Sequence, residues 1–174
     1  MEEKKVLVAY FSRADENYNV GYIEKGNTEI IAEMIAEATG GELFHIATVR
    51  PYPADYTECI NQAKNELDSK ARPAIIGDAD VADFDIVFLG YPNWWGDAPM
   101  AVYTFIEKHD WHGKVVIPFC THEGSGLGST ERKLEKACQG ATFLSALAVQ
   151  GTTAQRNPQT ALKRIDVWLN TLDF

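Results

Sequence analysis

The sequence predicts a doubly wound α/β fold: a five-stranded parallel sheet of order 2-1-3-4-5, with helices on both faces. Two observations lead there. Continuous apolar runs at Val6–Phe11, Phe84–Tyr91 and Val115–Cys120 have the pattern of strands covered on both faces. Segments with apolar residues at helical spacing alternate with the strands, strand then helix, five times over. Each right-handed crossover lays its helix against the sheet, so this alternation builds a three-layer sandwich.

The elements follow in order. Val6–Phe11 opens the sheet, and a polar segment rich in Asn and Tyr runs from Ser12 to Gly26. Asn27-Thr28-Glu29 starts a helix whose Ile30, Ile31, Met34, Ile35 and Ala38 recur at helical spacing, and Gly40-Gly41 ends it. Leu43–Val49 reads as the second strand, closed by Pro51 and Pro53. A helix with a thin apolar stripe runs from Asp55 to Lys70, and the connector Ala71–Asp83 is punctuated by Pro73 and Gly77. Phe84–Tyr91 is the third strand; Pro92–Pro99 turns the chain into a helix through Met100, Val102, Phe105 and Ile106. Val115–Cys120 is the fourth strand, followed by the glycine-rich Glu123–Ser129 and a charged helix ending near Cys138. Phe143–Val149 supplies the fifth strand and Pro158–Leu172 a final amphipathic helix. No internal repeat, low-complexity tract or linker divides the chain, so residues 1–174 are expected to form one domain.

Bulk properties narrow the function classes. A chain of 174 residues buries enough apolar surface to need neither disulfides nor a structural metal. A formal net charge of −9 argues against nucleic-acid binding, which needs a basic face, and suits a basic protein partner. No apolar run is long enough to cross a bilayer, so no membrane association is expected. Met1–Lys5 leads straight into a strand without the apolar segment of a secretory signal, and the expected location is the cytoplasm. Cys59, Cys120 and Cys138 show no paired spacing, as expected of reduced packing thiols.

In a sheet of this order, ligands bind beyond the carboxyl ends of the strands, where the strand order reverses. The segments after strands one, three and four are the unusual ones. After strand one come Ser12, Arg13 and, at the helix start, Gly26-Asn27-Thr28. A helix N-terminus offers free N–H groups to a phosphate; Ser12, Asn27 and Thr28 add neutral hydrogen bonds and Arg13 a charge. Asn27 or Thr28 equally suits a plain helix cap. After strand three comes Pro92-Asn93-Trp94-Trp95-Gly96-Asp97-Ala98-Pro99. Two adjacent tryptophans on such a turn suit stacking on a flat ring or a protein interface, with one of them free to act as a packing anchor. After strand four, Thr121-His122-Glu123-Gly124-Ser125-Gly126-Leu127-Gly128 allows backbone to approach a ligand closely.

Together, Tyr10-Phe11-Ser12, Gly26-Asn27-Thr28, Gly90-Tyr91-Pro92-Asn93-Trp94-Trp95 and Gly124-Ser125-Gly126 resemble the flavodoxin-like family over essentially the whole chain. The resemblance is to a bacterial flavodoxin branch with a paired-Trp loop after strand three. It implies FMN as cofactor, with Ser12 and Thr28 as the two ends of the phosphate loop. They are separated by an insertion containing Arg13, Tyr18, Asn19 and Tyr22, which suits a lid or contact surface. It also implies that Pro92, Asn93, Trp94 and Trp95 line one side of the flavin ring and His122, Glu123, Gly124, Ser125 and Gly126 the other. A backbone carbonyl near Gly96 would then reach a ring nitrogen. The leading expectation is an electron carrier, monomer or homodimer, passing electrons between redox partner proteins, with no catalytic side chain or metal ligand of its own. The alternatives are an FMN-dependent NAD(P)H:quinone-type oxidoreductase and a non-redox module of the same fold. Other doubly wound readings lack their motifs: GxxxxGK[ST] is absent, GxGxxG does not follow strand one, and Glu123 breaks GxSxG at Ser125.

Overall fold

The computed structural model describes residues 2–174. In chain order the elements are β1 (Val6–Tyr10), β2 (Asp15–Asn17), β3 (Gly21–Ile23), α1 (Asn27–Thr39), β4 (Glu42–His45) and α2 (Tyr56–Ser69). There follow β5 (Ile86–Pro92), α3 (Met100–Ile106), β6 (Val115–His122), α4 (Thr130–Ala137), β7 (Thr142–Phe143), β8 (Leu147–Gln150), α5 (Gly151–Arg156) and α6 (Pro158–Thr171). The main sheet is parallel in order β4-β1-β5-β6, with β7 and β8 both paired to β6.

This is the order 2-1-3-4-5 with its last position divided, so the sheet has six strands rather than five. β7 pairs with Val115 and Val116, and β8 with Phe119–His122. The gap falls opposite Pro118. The Val116 carbonyl on that side accepts from Leu144, so the alternation of the strand turns the Pro118 nitrogen the same way. Proline has no N–H to offer there.

The second strand is also shorter than its apolar run suggests. β1 ends at Tyr10, and after Ile46 N–H reaches the Tyr10 carbonyl (2.7 Å) no partner is left. The chain then pairs antiparallel with the 71–83 connector through Val49 N–H to Ala74 O and Ile76 N–H to Ala47 O, both 2.8 Å. The segment between Ser12 and Gly26 is ordered as the β2–β3 hairpin, with Asn19 and Gly21 at φ of 65° and 71° around its turn.

The core lies on both faces of the sheet. Val8, Tyr10, Phe88, Ile117 and Phe119 pack against Ile31 and Ile35 of α1 and Ile165 and Trp168 of α6. On the other face Leu7, Val87, Leu89 and Tyr91 meet Cys59 of α2 and Val102, Phe105 and Ile106 of α3. Gly90 is glycine because the Phe119 ring stands where its Cβ would be, 2.1 Å away. Among the described residues no helix is long and apolar enough to cross a membrane.

Candidate functional site

The loops following β1, β5 and β6 converge at the carboxyl edge of the sheet. They enclose a cleft of about 290 Å³ lined by Asn27, Pro92, Asn93, Trp94, Trp95, Thr121, His122, Glu123 and Ser125. The hairpin adds Asn17 and Tyr18, and α2 adds Tyr56, Cys59, Ile60 and Ala63. Of the residues singled out in the sequence, Ser12, Arg13, Thr28, Gly96, Gly124 and Gly126 are not among the lining residues. Ser12 bonds to Glu29, Thr28 bonds to the lining residue Thr121, and the three glycines lie in the loops that carry the lining. Arg13 is directed elsewhere.

At one end stands the N-terminus of α1. The Ser12 hydroxyl accepts the Glu29 N–H at 3.0 Å, and the Ile30 N–H goes to the Gly26 carbonyl. Helix geometry gives the preceding N–H groups, those of Asn27 and Thr28, no acceptor within the helix. Gly26 packs so tightly that a Cβ would lie 2.1 Å from Ser12 Oγ and 2.8 Å from the Arg13 carbonyl oxygen. Thr28 and Thr121 share a buried hydroxyl–hydroxyl hydrogen bond of 2.7 Å, tying α1 to β6. The Asn27 side-chain oxygen accepts from Gln155 at 2.9 Å.

The charge expected from Arg13 at this end is not there. Its guanidinium donates to the carbonyls of Glu16, Pro53 (2.6 Å) and Ala54 (2.8 Å), pinning the hairpin to the chain before α2. Its Nε is buried with no hydrogen-bond partner among the described residues. Backbone carbonyls that would otherwise lose their water have captured the cation.

The tryptophan loop is a two-residue turn. Trp94 and Asp97 exchange backbone hydrogen bonds of 2.8 and 3.2 Å, with Trp95 and Gly96 at φ of 58° and 81°. Positive φ at both central positions is the type I′ geometry. For a residue as bulky as Trp it costs on the order of 1–3 kcal/mol. The surroundings hold it: Asn93 Oδ1 accepts the Gly96 N–H at 2.9 Å, and the Asp97 carboxylate accepts from Ala98 N–H (2.7 Å) and Tyr103 O–H (2.6 Å). Trp94 is the packing anchor, edge-on to Phe11 and Tyr52 with centroids 5.1 Å away in each case. Trp95 is 51% exposed, its indole N–H donating to the Ile60 carbonyl at 3.0 Å. The Gly96 carbonyl, expected to face a ring nitrogen, accepts from Lys133 Nζ at 2.9 Å.

The glycine-rich loop is joined to that turn by Asn93, whose amide donates to the Gly126 carbonyl at 2.9 Å. Gly124 and Gly126, at φ of 107° and 62°, reach backbone conformations closed to most side chains. His122 Nδ1 accepts the Gly124 N–H at 2.9 Å, which places the ring proton on Nε2. Its pKa is depressed, chiefly by desolvation; Glu123 opposes this and Arg164 adds to it. Glu123 caps α5, accepting from Thr152 N–H (2.5 Å) and Thr152 Oγ1–H (2.7 Å). The cleft is thus lined by aromatic, apolar and neutral polar side chains, with Glu123 as its one carboxylate among the described lining residues.

Sequence reasoning named Tyr18 only as part of an insertion suited to a lid or contact surface and Thr121 only as the start of the segment after strand four; it missed Asn17, Lys133 and the α2 residues. Thr121 directly precedes the glycine-rich loop, and that adjacency is a usable signal. The α2 stripe carries none, because a cleft floor and a core face have the same periodicity.

A doubly wound α/β protein with a cleft at the reversal of strand order is the class that this architecture defines. The model of the Flavodoxin family matches residues 5–165, and the chain belongs to that family. Among similar solved structures is a protein assigned as a flavoprotein from Bacteroides eggerthii. It is 32% identical, with a TM-score of 0.73 over 95% of this chain and 98% of its own. A second, assigned likewise, from Bacteroides uniformis, is 29% identical with a TM-score of 0.74 over 95% and 99%. A flavoprotein in complex with FMN from Lactobacillus acidophilus shares the fold at 19% identity, with a TM-score of 0.67 over 87% and 95%. Comparison with curated proteins finds no significant match.

Proposed function

We propose that the protein binds FMN in the carboxyl-edge cleft and carries electrons between redox partner proteins. The observation that carries this reading is the convergence of a helix N-terminus, an exposed tryptophan turn and a glycine-rich loop on one cleft. The residues fit the cofactor. Gly26 and Ser12 make a cradle with no room for a further side chain. The N–H groups of Asn27 and Thr28 offer the donors that a phosphate needs without a cation. Asn93 and Ser125 present polar edges, and Trp95 an aromatic face, to a flat ring. Bound FMN supplies redox chemistry that no side chain here performs.

The protein's own groups position and shield. The Asn93 amide holds the two ring-flanking loops at one spacing through Gly96 and Gly126. Glu123 spends its charge on the start of α5, so it does not stand free against an anionic ligand. Desolvation holds the His122 pKa below its ordinary value, and its Nδ1 is committed to the Gly124 N–H. A net charge of −9 favours encounter with a basic partner.

The test is an absorbance spectrum after addition of FMN, followed by anaerobic titration with NADH, NADPH and a chemical reductant. The expected result is a yellow protein that stays oxidised with both nucleotides and is reduced by the chemical reductant. Rapid bleaching by either nucleotide would instead make it a reductase. Failure to take up FMN would overturn the reading.

A further inference from the structure

The β2–β3 hairpin is built into the loop assigned to the phosphate, and the flavin reading gives it no task. Its base is closed, because Gly26 packs against Ser12 and Arg13. An isolated two-stranded ribbon is marginal in water, so its anchors decide where it lies. On the α2 side, Glu16 Oε1 accepts the Tyr56 N–H at 2.7 Å. On the α5 side, Arg156 donates to the Asn19 carbonyl at 3.0 Å and Gln155 to the Lys25 carbonyl at 2.7 Å. The hairpin therefore bridges the cleft from one bank to the other.

Its turn carries Tyr18, which lines the cleft while remaining 57% exposed. The ring stacks loosely on Tyr56, with centroids 6.1 Å apart. An anchored aromatic side chain at the mouth of a cleft, half of it facing water, has apolar surface still to cover. The other aromatic available for stacking has been halved, since Trp94 of the tryptophan pair is committed to Phe11 and Tyr52.

We propose that Tyr18 is an aromatic wall of the cofactor site, lying against the flavin ring, and that the hairpin clamps the cofactor from above. The inference rests on the FMN reading. It adds a contact from an element outside the loops that follow the main-sheet strands β5 and β6. Stacking of a flat heteroaromatic ring on a side chain is worth about tenfold or more in affinity.

The test is titration of the cofactor-free protein with FMN, reading both the dissociation constant and the residual flavin fluorescence. Tyr18→Leu keeps bulk and removes the π-face; Tyr18→Phe keeps the ring. Tyr22→Ala alters a neighbouring hairpin side chain that is 70% exposed and does not line the cleft. The expected result is that Tyr18→Leu weakens FMN about tenfold and raises residual fluorescence, while Tyr18→Phe and Tyr22→Ala behave as wild type. Tyr18→Leu indistinguishable from wild type would overturn the role of Tyr18 and leave the FMN site standing. Equal weakening by Tyr22→Ala would assign the effect to hairpin order and overturn it too. No FMN uptake by the unaltered protein would remove the FMN reading, and this inference with it.

Discussion

The Ser12 hydroxyl accepts the backbone N–H of Glu29 at 3.0 Å, across seventeen residues of chain. That bond, with Gly26 packed against Ser12, lets a whole hairpin be inserted while the loop at the start of α1 keeps its shape. The hairpin leaves the start of α1 closed at its base and adds Asn17 and Tyr18 to the cleft lining.

Ser12→Ala removes this acceptor from the first turn of α1, where losing a cap costs about 1 kcal/mol. Gly26→Ala is the more severe change, because its methyl would overlap Ser12 Oγ and crowd the Arg13 carbonyl. Overpacking of that kind costs on the order of 1–3 kcal/mol. Urea denaturation should rank the variants in that order, and both should bind FMN more weakly in a fluorescence titration.

Gly90→Ala tests the sheet's tightest spot. The new Cβ would fall among Phe119 ring atoms 2.1–2.8 Å away, with neighbouring strands on both sides. A loss of about 1–3 kcal/mol is expected, partly recovered when Phe119→Leu is combined with it. Additive losses in the double variant would show that Phe119 is not the obstacle.

His122 supplies a pH dependence whose sign can be worked out. Its folded pKa lies below the ordinary value, chiefly through desolvation. Protonation would also forfeit the Gly124 N–H bond to Nδ1. In the interval below about 6.5 the unfolded chain binds the proton more readily, so stability rises with pH there. The contribution is complete above the unfolded pKa and is lost as pH falls through that interval. NMR titration of the His122 ring should give a midpoint below 6.5; a midpoint above it would reverse the sign.

All three cysteines are free and buried. Burial pushes the Cys59 thiol up to about 11 and those of Cys120 and Cys138 up to about 12. Thiolate is the reactive form, so alkylation at neutral pH should be slow in the native protein and prompt in denaturant. Cys59, which lines the cleft, should react first, and bound FMN should slow it.

The sheet was legible because its buried strands are apolar throughout. Val6–Tyr10, Ile86–Pro92 and Val115–His122 lie within or just beyond the predicted runs. The fifth strand was not legible as two, since Phe143–Val149 carries no sign of the break. The break is imposed by Pro118 on the neighbouring strand. The same distinction runs through the site. Asn27, Asn93, Trp95, His122 and Ser125 could be picked out in the sequence from the segments that follow strand ends, and Tyr18 only as part of an insertion of open role, whereas Tyr56 could not.

The sequence by itself determined the strand order, the edge at which the loops gather and the residue types they bring. Those depend on hydrophobic periodicity and on the handedness of crossovers, which are local or general properties of chains. Only the tertiary structure decided that Arg13 faces the carbonyls of Pro53 and Ala54, that Trp94 is anchored while Trp95 is exposed, and that Lys133 holds the Gly96 carbonyl. Each of these outcomes is a competition for hydrogen-bond partners or packing space among groups distant in sequence. The winner is set by which acceptor or cavity the fold brings within reach.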